Sequence, residues 1–132
     1  MTPPVITAFY TGLNALIIMW LTIVVIKHRR RNKLALGDGG DKAMAMAIRG
    51  HANATEQIPM TMIMMGLGEM LGAPTYVLLI LGGVYTFARL IHGLHFAGHG
   101  SMRLRFWGML LGFIVTGLLA LELVVHGAMR AF

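Results

Sequence analysis

The sequence predicts an all-α integral membrane protein, a four-helix bundle in a single domain. Three observations predict it. Of the 132 residues, 57% are hydrophobic and only 12% charged; mean hydropathy is +0.72; and the apolar residues fall into four long runs separated by short polar turns. A soluble domain carries about twice that share of charge. A hydrocarbon core of roughly 30 Å calls for about 20 apolar residues per helix, so this length holds four spans and no separate soluble part.

The first run, residues 5–26, contains no charge. At 1.5 Å per residue it reaches about 33 Å, enough to cross once. A cleavable signal peptide starts basic and has a shorter apolar core, whereas here the basic cluster follows the run, so an uncleaved anchor is expected. "KHRRRNKLALGDGGDK" then closes in a Gly-rich turn, with Asp41 placed as N-cap of a second helix over 42–71. "GAPTY" interrupts the pattern before a third span, 75–97, and "AGHGSMR" precedes a fourth, 104–127. Lys27, Arg29, Arg30, Arg31, Lys33 and Lys42 lie in the first loop and Arg103 and Arg105 at the third, against Arg130 alone on the other side. The positive-inside rule therefore puts both basic loops in the cytoplasm and both termini in the periplasm or its equivalent.

Composition also excludes chemistries. With no cysteine there is no disulfide framework, thiolate nucleophile or cysteine metal site, so thiol chemistry requires a borrowed thiol. The formal charge of +6 is explained by topology and anionic lipid headgroups, and no nucleic-acid-binding motif accompanies it. The twelve methionines read as core and lipid-facing filler. Gly108 and Gly112 in "GMLLG", with Gly82 and Gly83, predict close helix packing.

The polar residues inside the spans carry the functional signal. An ionisable side chain at mid-membrane costs about 2.5 to 3.5 kcal/mol on insertion scales, so each needs a partner or a wet cavity. Arg49, Asn53 and Glu56 stand at i, i+4, i+7 on one face of the second helix, with His51 about 200° away from Arg49. Arg89, His92 and Phe96 repeat the pattern on the third helix, at the same membrane depth. Arg103 and Arg105 enter the fourth helix, and Arg29 to Arg31 leave the first, from that side. Cations exceed anions, which implies an anionic visitor, and guanidinium forks suit carboxylates. The competing structural reading makes Arg49 and Glu56 an ion pair and the loop arginines topology signals.

"HGLHFAGH" offers His92, His95 and His99 at i, i+3, i+7 as a three-nitrogen metal set. No carboxylate in the segment completes or orients it, and the neighbouring arginines disfavour a cation.

"IRGHANATEQIP" matches the pattern Arg-x-(His/Gln)-x-Asn-x-x-Glu-x-x-Pro that opens the second helix of the membrane-associated proteins in eicosanoid and glutathione metabolism, the MAPEG family. "VYTFARL" resembles that family's third helix, and the likeness runs over nearly the whole chain. The "GDGG" turn together with "IRGHANATEQIP" looks most like the small bacterial branch. The resemblance implies a homotrimer with glutathione, as cosubstrate, bound between subunits and open to cytoplasm and lipid. It implies that Arg49, Asn53 and Glu56 hold glutathione's backbone and charged ends, with His51 in the same region. Arg89 and His92 would line the site from helix three, and one of Arg29 to Arg31 would reach it from helix one. Arg103 matches the arginine proposed to stabilise the thiolate, with Arg105 as its nearby substitute. His92 and Phe96 stand where the leukotriene-synthase branch has tyrosines.

The activity so implied is that of a glutathione transferase or peroxidase acting on a lipophilic electrophile or hydroperoxide. The alternative is a non-catalytic membrane binding or scaffold protein whose polar cluster is structural. A small multidrug transporter is disfavoured, because helix one has no embedded carboxylate to couple protons.

Overall fold

A computed structural model describes residues 3–131. Four helices form: α1 (Val5–Asn32), α2 (Lys42–Leu71), α3 (Thr75–Phe96) and α4 (Met102–Ala131). α1 runs past the end of its apolar stretch at Ile26 because Lys27 to Asn32 have no reason to leave the helix. Arginine is a good helix former, and Arg29, Arg30 and Arg31 sit in the last turn, where positive charge favours the C-terminal end of the dipole. Lys33 then ends it in a left-handed conformation at φ 53°.

Each later boundary has a local cause. The Asp41 carboxylate accepts from the backbone N–H groups of Ala43 and Met44, as an N-cap does. Gly72, at φ 93°, closes α2, its N–H reaching the Glu69 carbonyl while that of Ala73 reaches Gly68. Pro74 starts α3 at the next residue, and Gly98 (φ 86°) turns the chain into α4. α2 continues through Pro59, which only withholds one N–H from its own ladder.

Short connections lay consecutive helices side by side. α3 packs most closely on α4, α2 touches all three others, and α1 rests on α2 and α3. The core between them is built from Tyr10, Ile17, Leu21, Ile58, Met62, Met65, Leu78, Tyr85, Val115 and Leu119. Outside, Phe9, Leu16, Met60, Ile63, Ile80, Phe113, Leu118 and Leu121 are exposed. An apolar exterior suits hydrocarbon, not water, as solvent. α1, α3 and α4 are each long and apolar enough to cross a membrane; α2 is as long as α4 but concentrates its polar residues in its first half.

Several polar groups inside the bundle bond across helices. Asn14, fully buried, donates from Nδ2 to the Tyr10 carbonyl and the Thr86 hydroxyl. The Thr61 and Thr116 hydroxyls meet at 3.0 Å. Pro4 gives α1 no side-chain cap, and the Glu69 carboxylate of α2 replaces it, accepting from Ile6 N–H at 2.9 Å and Thr7 N–H at 2.8 Å. That carboxylate meets the positive end of the α1 dipole.

Candidate functional site

At the end of the bundle near the α1–α2 and α3–α4 turns, α2, α3 and α4 enclose a cavity of about 170 Å³. α2 lines it with Arg49, Asn53 and Gln57; α3 with Arg89, His92 and Phe96; α4 with Arg105, Met109 and Phe113. Three guanidiniums face the cavity and no carboxylate does. The spacing i, i+4, i+8 on α2 and on α4 gives each helix one slowly turning stripe along the cavity wall.

Arg89 is the fixed member, only 5% exposed. It donates from Nη1 to Asn53 Oδ1 at 3.3 Å and from Nη2 to the Gly108 carbonyl at 3.1 Å, and its guanidinium carbon lies 5.3 Å from the centroid of the Tyr85 ring. Its Nε is buried without a partner. No carboxylate lies within ion-pair distance among the described residues, so a buried cation stands without a counter-charge.

Glycines make the room it occupies. A Cβ at Gly112 would overlap the Arg89 guanidinium. One at Gly108 would come within 2.7 Å of both the Ala88 carbonyl oxygen and His92 Cβ. The "GMLLG" pair therefore does two jobs, bringing α4 against α3 and leaving space for the arginine. Gly50 is needed for the same reason on α2, where a Cβ would overlap Phe96.

The other two cations are freer. Arg49, on an exposed face of α2, lies 3.9 Å from Glu56, an ion pair weak by distance and exposure. Arg105 lies over the Phe96 ring, 5.4 Å from its centroid, and Phe96 is held in turn against His92, with centroids 5.0 Å apart. Beyond Arg105 on the same stripe of α4, Met109 and Phe113 form an apolar side that continues to the exterior of the helix.

Of the residues singled out in the sequence, Arg49, Asn53, Arg89, His92 and Arg105 converge on this cavity. Glu56 reaches Arg49 but does not line the wall. It sits about 100° from Gln57 around α2, and the cavity lies on the Gln57 side. His51 is on the far side of α2, half-buried. Arg29 ties down the first loop, donating to the Ala35 carbonyl at 2.9 Å and the Gly37 carbonyl at 3.4 Å. Arg30 and Arg103 are exposed and outside the lining. His95 faces the α3–α4 turn, its Nδ1 3.1 Å from the Gly100 carbonyl, and His99 is exposed, so neither joins His92.

Gln57, Met109 and Phe113 carried no separate signal. Each lies one or two helical steps of four from a residue that did: Gln57 one after Asn53, Met109 one and Phe113 two after Arg105. That spacing identifies them once the facing side of the helix is known.

Two relatives resemble the chain over most of its length. Inner membrane protein YecN of Escherichia coli strain K12 is 39% identical over 106 residues, which is 79% of each chain, and the protein of the same name from strain CFT073 matches to the same extent. The model of the MAPEG family matches residues 7–125, so all four helices fall at least largely within it. With its membrane-length helices and this match, the chain is an integral membrane protein that belongs to the MAPEG family.

Proposed function

We propose that this protein is a glutathione-dependent enzyme of the inner membrane, a transferase or peroxidase acting on a lipophilic electrophile or hydroperoxide. The observation that carries the reading is the cavity's unbalanced charge: Arg49, Arg89 and Arg105 around one space with no carboxylate in its walls. Glutathione brings two carboxylates to pair with guanidiniums and peptide groups to bond with Asn53 and Gln57. Arg105, next to the apolar side, is the thiolate partner on this reading. A free thiol has a pKa of about 8.5 and is mostly protonated at neutral pH; an adjacent guanidinium favours the thiolate. The thiolate sulfur attacks the electrophilic carbon, and the C–S bond forms as a leaving group departs with the electron pair or as a conjugated π bond opens and takes up a proton. With a hydroperoxide it attacks the terminal oxygen, the O–O bond breaks, and the alkoxide takes a proton and leaves as the alcohol. The glutathione sulfenic acid so formed is reduced by a second glutathione to the disulfide and water.

A single chain leaves the site open. Glu56, Met60, Ile63, Leu67 and Met70 form an exposed stripe along α2 at alternating steps of four and three, the spacing of a helix that packs on another. This supports a homotrimer in which a neighbour covers the Arg49 side and brings His51, Arg103 or the Arg29–Arg30 pair toward the ligand. The excess of cations in the two loops beside the cavity supports a cytoplasmic opening.

Calorimetry on the purified protein in detergent tests the reading. Glutathione should bind, and Arg49→Ala should weaken it about tenfold or more, as expected for loss of a charged hydrogen bond. A protein that neither binds glutathione nor conjugates any aromatic electrophile would sink the enzyme reading. The scaffold reading draws on the Arg49–Glu56 contact and the cross-helix bonds of Arg89. It would win if Arg49→Ala broke the oligomer and no ligand were found.

A further inference from the structure

On the outer face of α4 lies a second hollow, a groove of about 230 Å³ lined by Met102, Arg105, Phe106 and Met109. It shares Arg105 and Met109 with the cationic cavity. The two spaces thus adjoin at Arg105 and Met109, with the Arg49 and Arg89 guanidiniums on one side and Met102 and the Phe106 ring on the other. Met102, Phe106 and Met109 are 63%, 51% and 38% exposed, so the groove opens to the outside of the four-helix bundle.

We propose that this joined site binds an anionic phospholipid of the surrounding membrane, its phosphate between Arg105 and the Arg89 end of the cavity and an acyl chain along Met102, Phe106 and Met109. Charge and size both argue for it. Arg89 and Arg105 have no carboxylate partner among the described residues, and a cation so placed beside lipid recruits the nearest anion. The cavity, at about 170 Å³, is smaller than the roughly 300–1,000 Å³ of sites that enclose a whole small molecule, which suits a headgroup whose tail lies elsewhere. Neither hollow alone accounts for an amphiphile; their junction at Arg105 does.

The lipid and glutathione then compete for Arg105, so the anionic lipid content of the membrane sets how much thiol the site admits. This consequence rests on the reading above, whereas lipid binding itself does not.

The test is lipid retention without any thiol. The protein is placed in bilayer discs of equal phosphatidylglycerol and phosphatidylcholine, released into detergent, and its bound lipid identified by native mass spectrometry. Phosphatidylglycerol should be retained in preference. Arg105→Gln should lower that preference about fivefold, the contribution of one cation at an anionic surface. Lys27→Gln, on the exposed surface of α1 and lining neither hollow, should change it much less. Arg105 is exposed, so the core does not depend on it; Met109→Glu, which sets a carboxylate at the junction, gives the same loss by a second route. Equal retention of the two lipids, or equal loss in Lys27→Gln and Arg105→Gln, would overturn the proposal. Inorganic phosphate, which has no chain, should not displace the lipid at equal concentration, and displacement would remove the groove from the site. Specific lipid retention with no glutathione binding would leave this proposal standing and the enzyme reading fallen; the reverse result would do the opposite.

Discussion

The Arg89 guanidinium of α3 donates to the Gly108 carbonyl of α4 at 3.1 Å, across a gap that exists only because residues 108 and 112 have no side chains. One bond thereby links the closest helix pair of the bundle to the charge of the cavity.

Gly112→Ala should be destabilising, because its methyl group would displace the guanidinium from its bonds to Gly108 and Asn53. Overpacking of this kind costs about 1–3 kcal/mol. Thermal unfolding in detergent should show a lower midpoint, and anion binding should weaken with it.

Arg89→Met separates charge from packing. A buried ion pair replaced whole by apolar side chains of similar volume is often neutral or stabilising, and among the described residues Arg89 has no carboxylate partner that its removal would strand. The variant should keep its unfolding midpoint yet lose affinity for glutathione. A collapse of the fold would show instead that the Asn53 and Gly108 bonds are the main purpose of Arg89.

Arg105→Ala and Arg103→Ala should differ. Only Arg105 lines the cavity, so its removal should lower kcat/KM for a model electrophile about tenfold or more, while Arg103→Ala should have a smaller effect. The rate in Arg105→Ala should also rise with pH toward a half-point near 8.5, the value of a free thiol. An unchanged pH–rate profile would remove Arg105 from that role.

Gly82 packs against the Tyr10 ring so closely that a Cβ would overlap it, and the Tyr10 hydroxyl donates to the Leu79 carbonyl at 2.8 Å. Gly82→Ala should therefore push α1 from α3 and lower stability by about 1–3 kcal/mol, read as a shift in the unfolding midpoint.

Asp41 gives a pH dependence outside the membrane. The Asn32 side-chain amide, then the Met44 and Ala43 N–H groups and the Arg31 charge, hold its carboxyl below the usual carboxylate range. A group whose pKa is lowered by folding contributes stability above its unfolded pKa of about 3.9 and loses it as pH falls through the folded value. Unfolding midpoints should drop below about pH 4, and Asp41→Ala should be less stable at neutral pH but flatter across that range.

The four helices and their turns are legible in the sequence because they depend on local quantities: hydropathy summed over a span, a capping aspartate, glycines that can take positive φ. The same locality makes Arg89, His92 and Phe96 readable as one face of α3. Glu69 shows the limit. Nothing near it in sequence marks it as the cap of α1, some sixty residues earlier, because the partnership exists only once α2 lies against that helix end. Glu122 is similar: its carboxylate is tucked beside Gly68 and 2.9 Å from His126, a polar pair in α4 that hydropathy alone passes over.

By itself the sequence determined that this chain lives in a membrane, that it forms four long helices, and that cations gather at one end of the bundle. It narrowed the site to a few positions but left pairs undecided. Arg103 and Arg105 stand about 200° apart on α4, so no more than one can face inward, and composition and spacing are the same whichever it is. Only the tertiary structure decided, because the inward face of α4 is set by where Gly108 and Gly112 let it approach α3. That contact turns Arg105, Met109 and Phe113 to the cavity and Arg103 away from it.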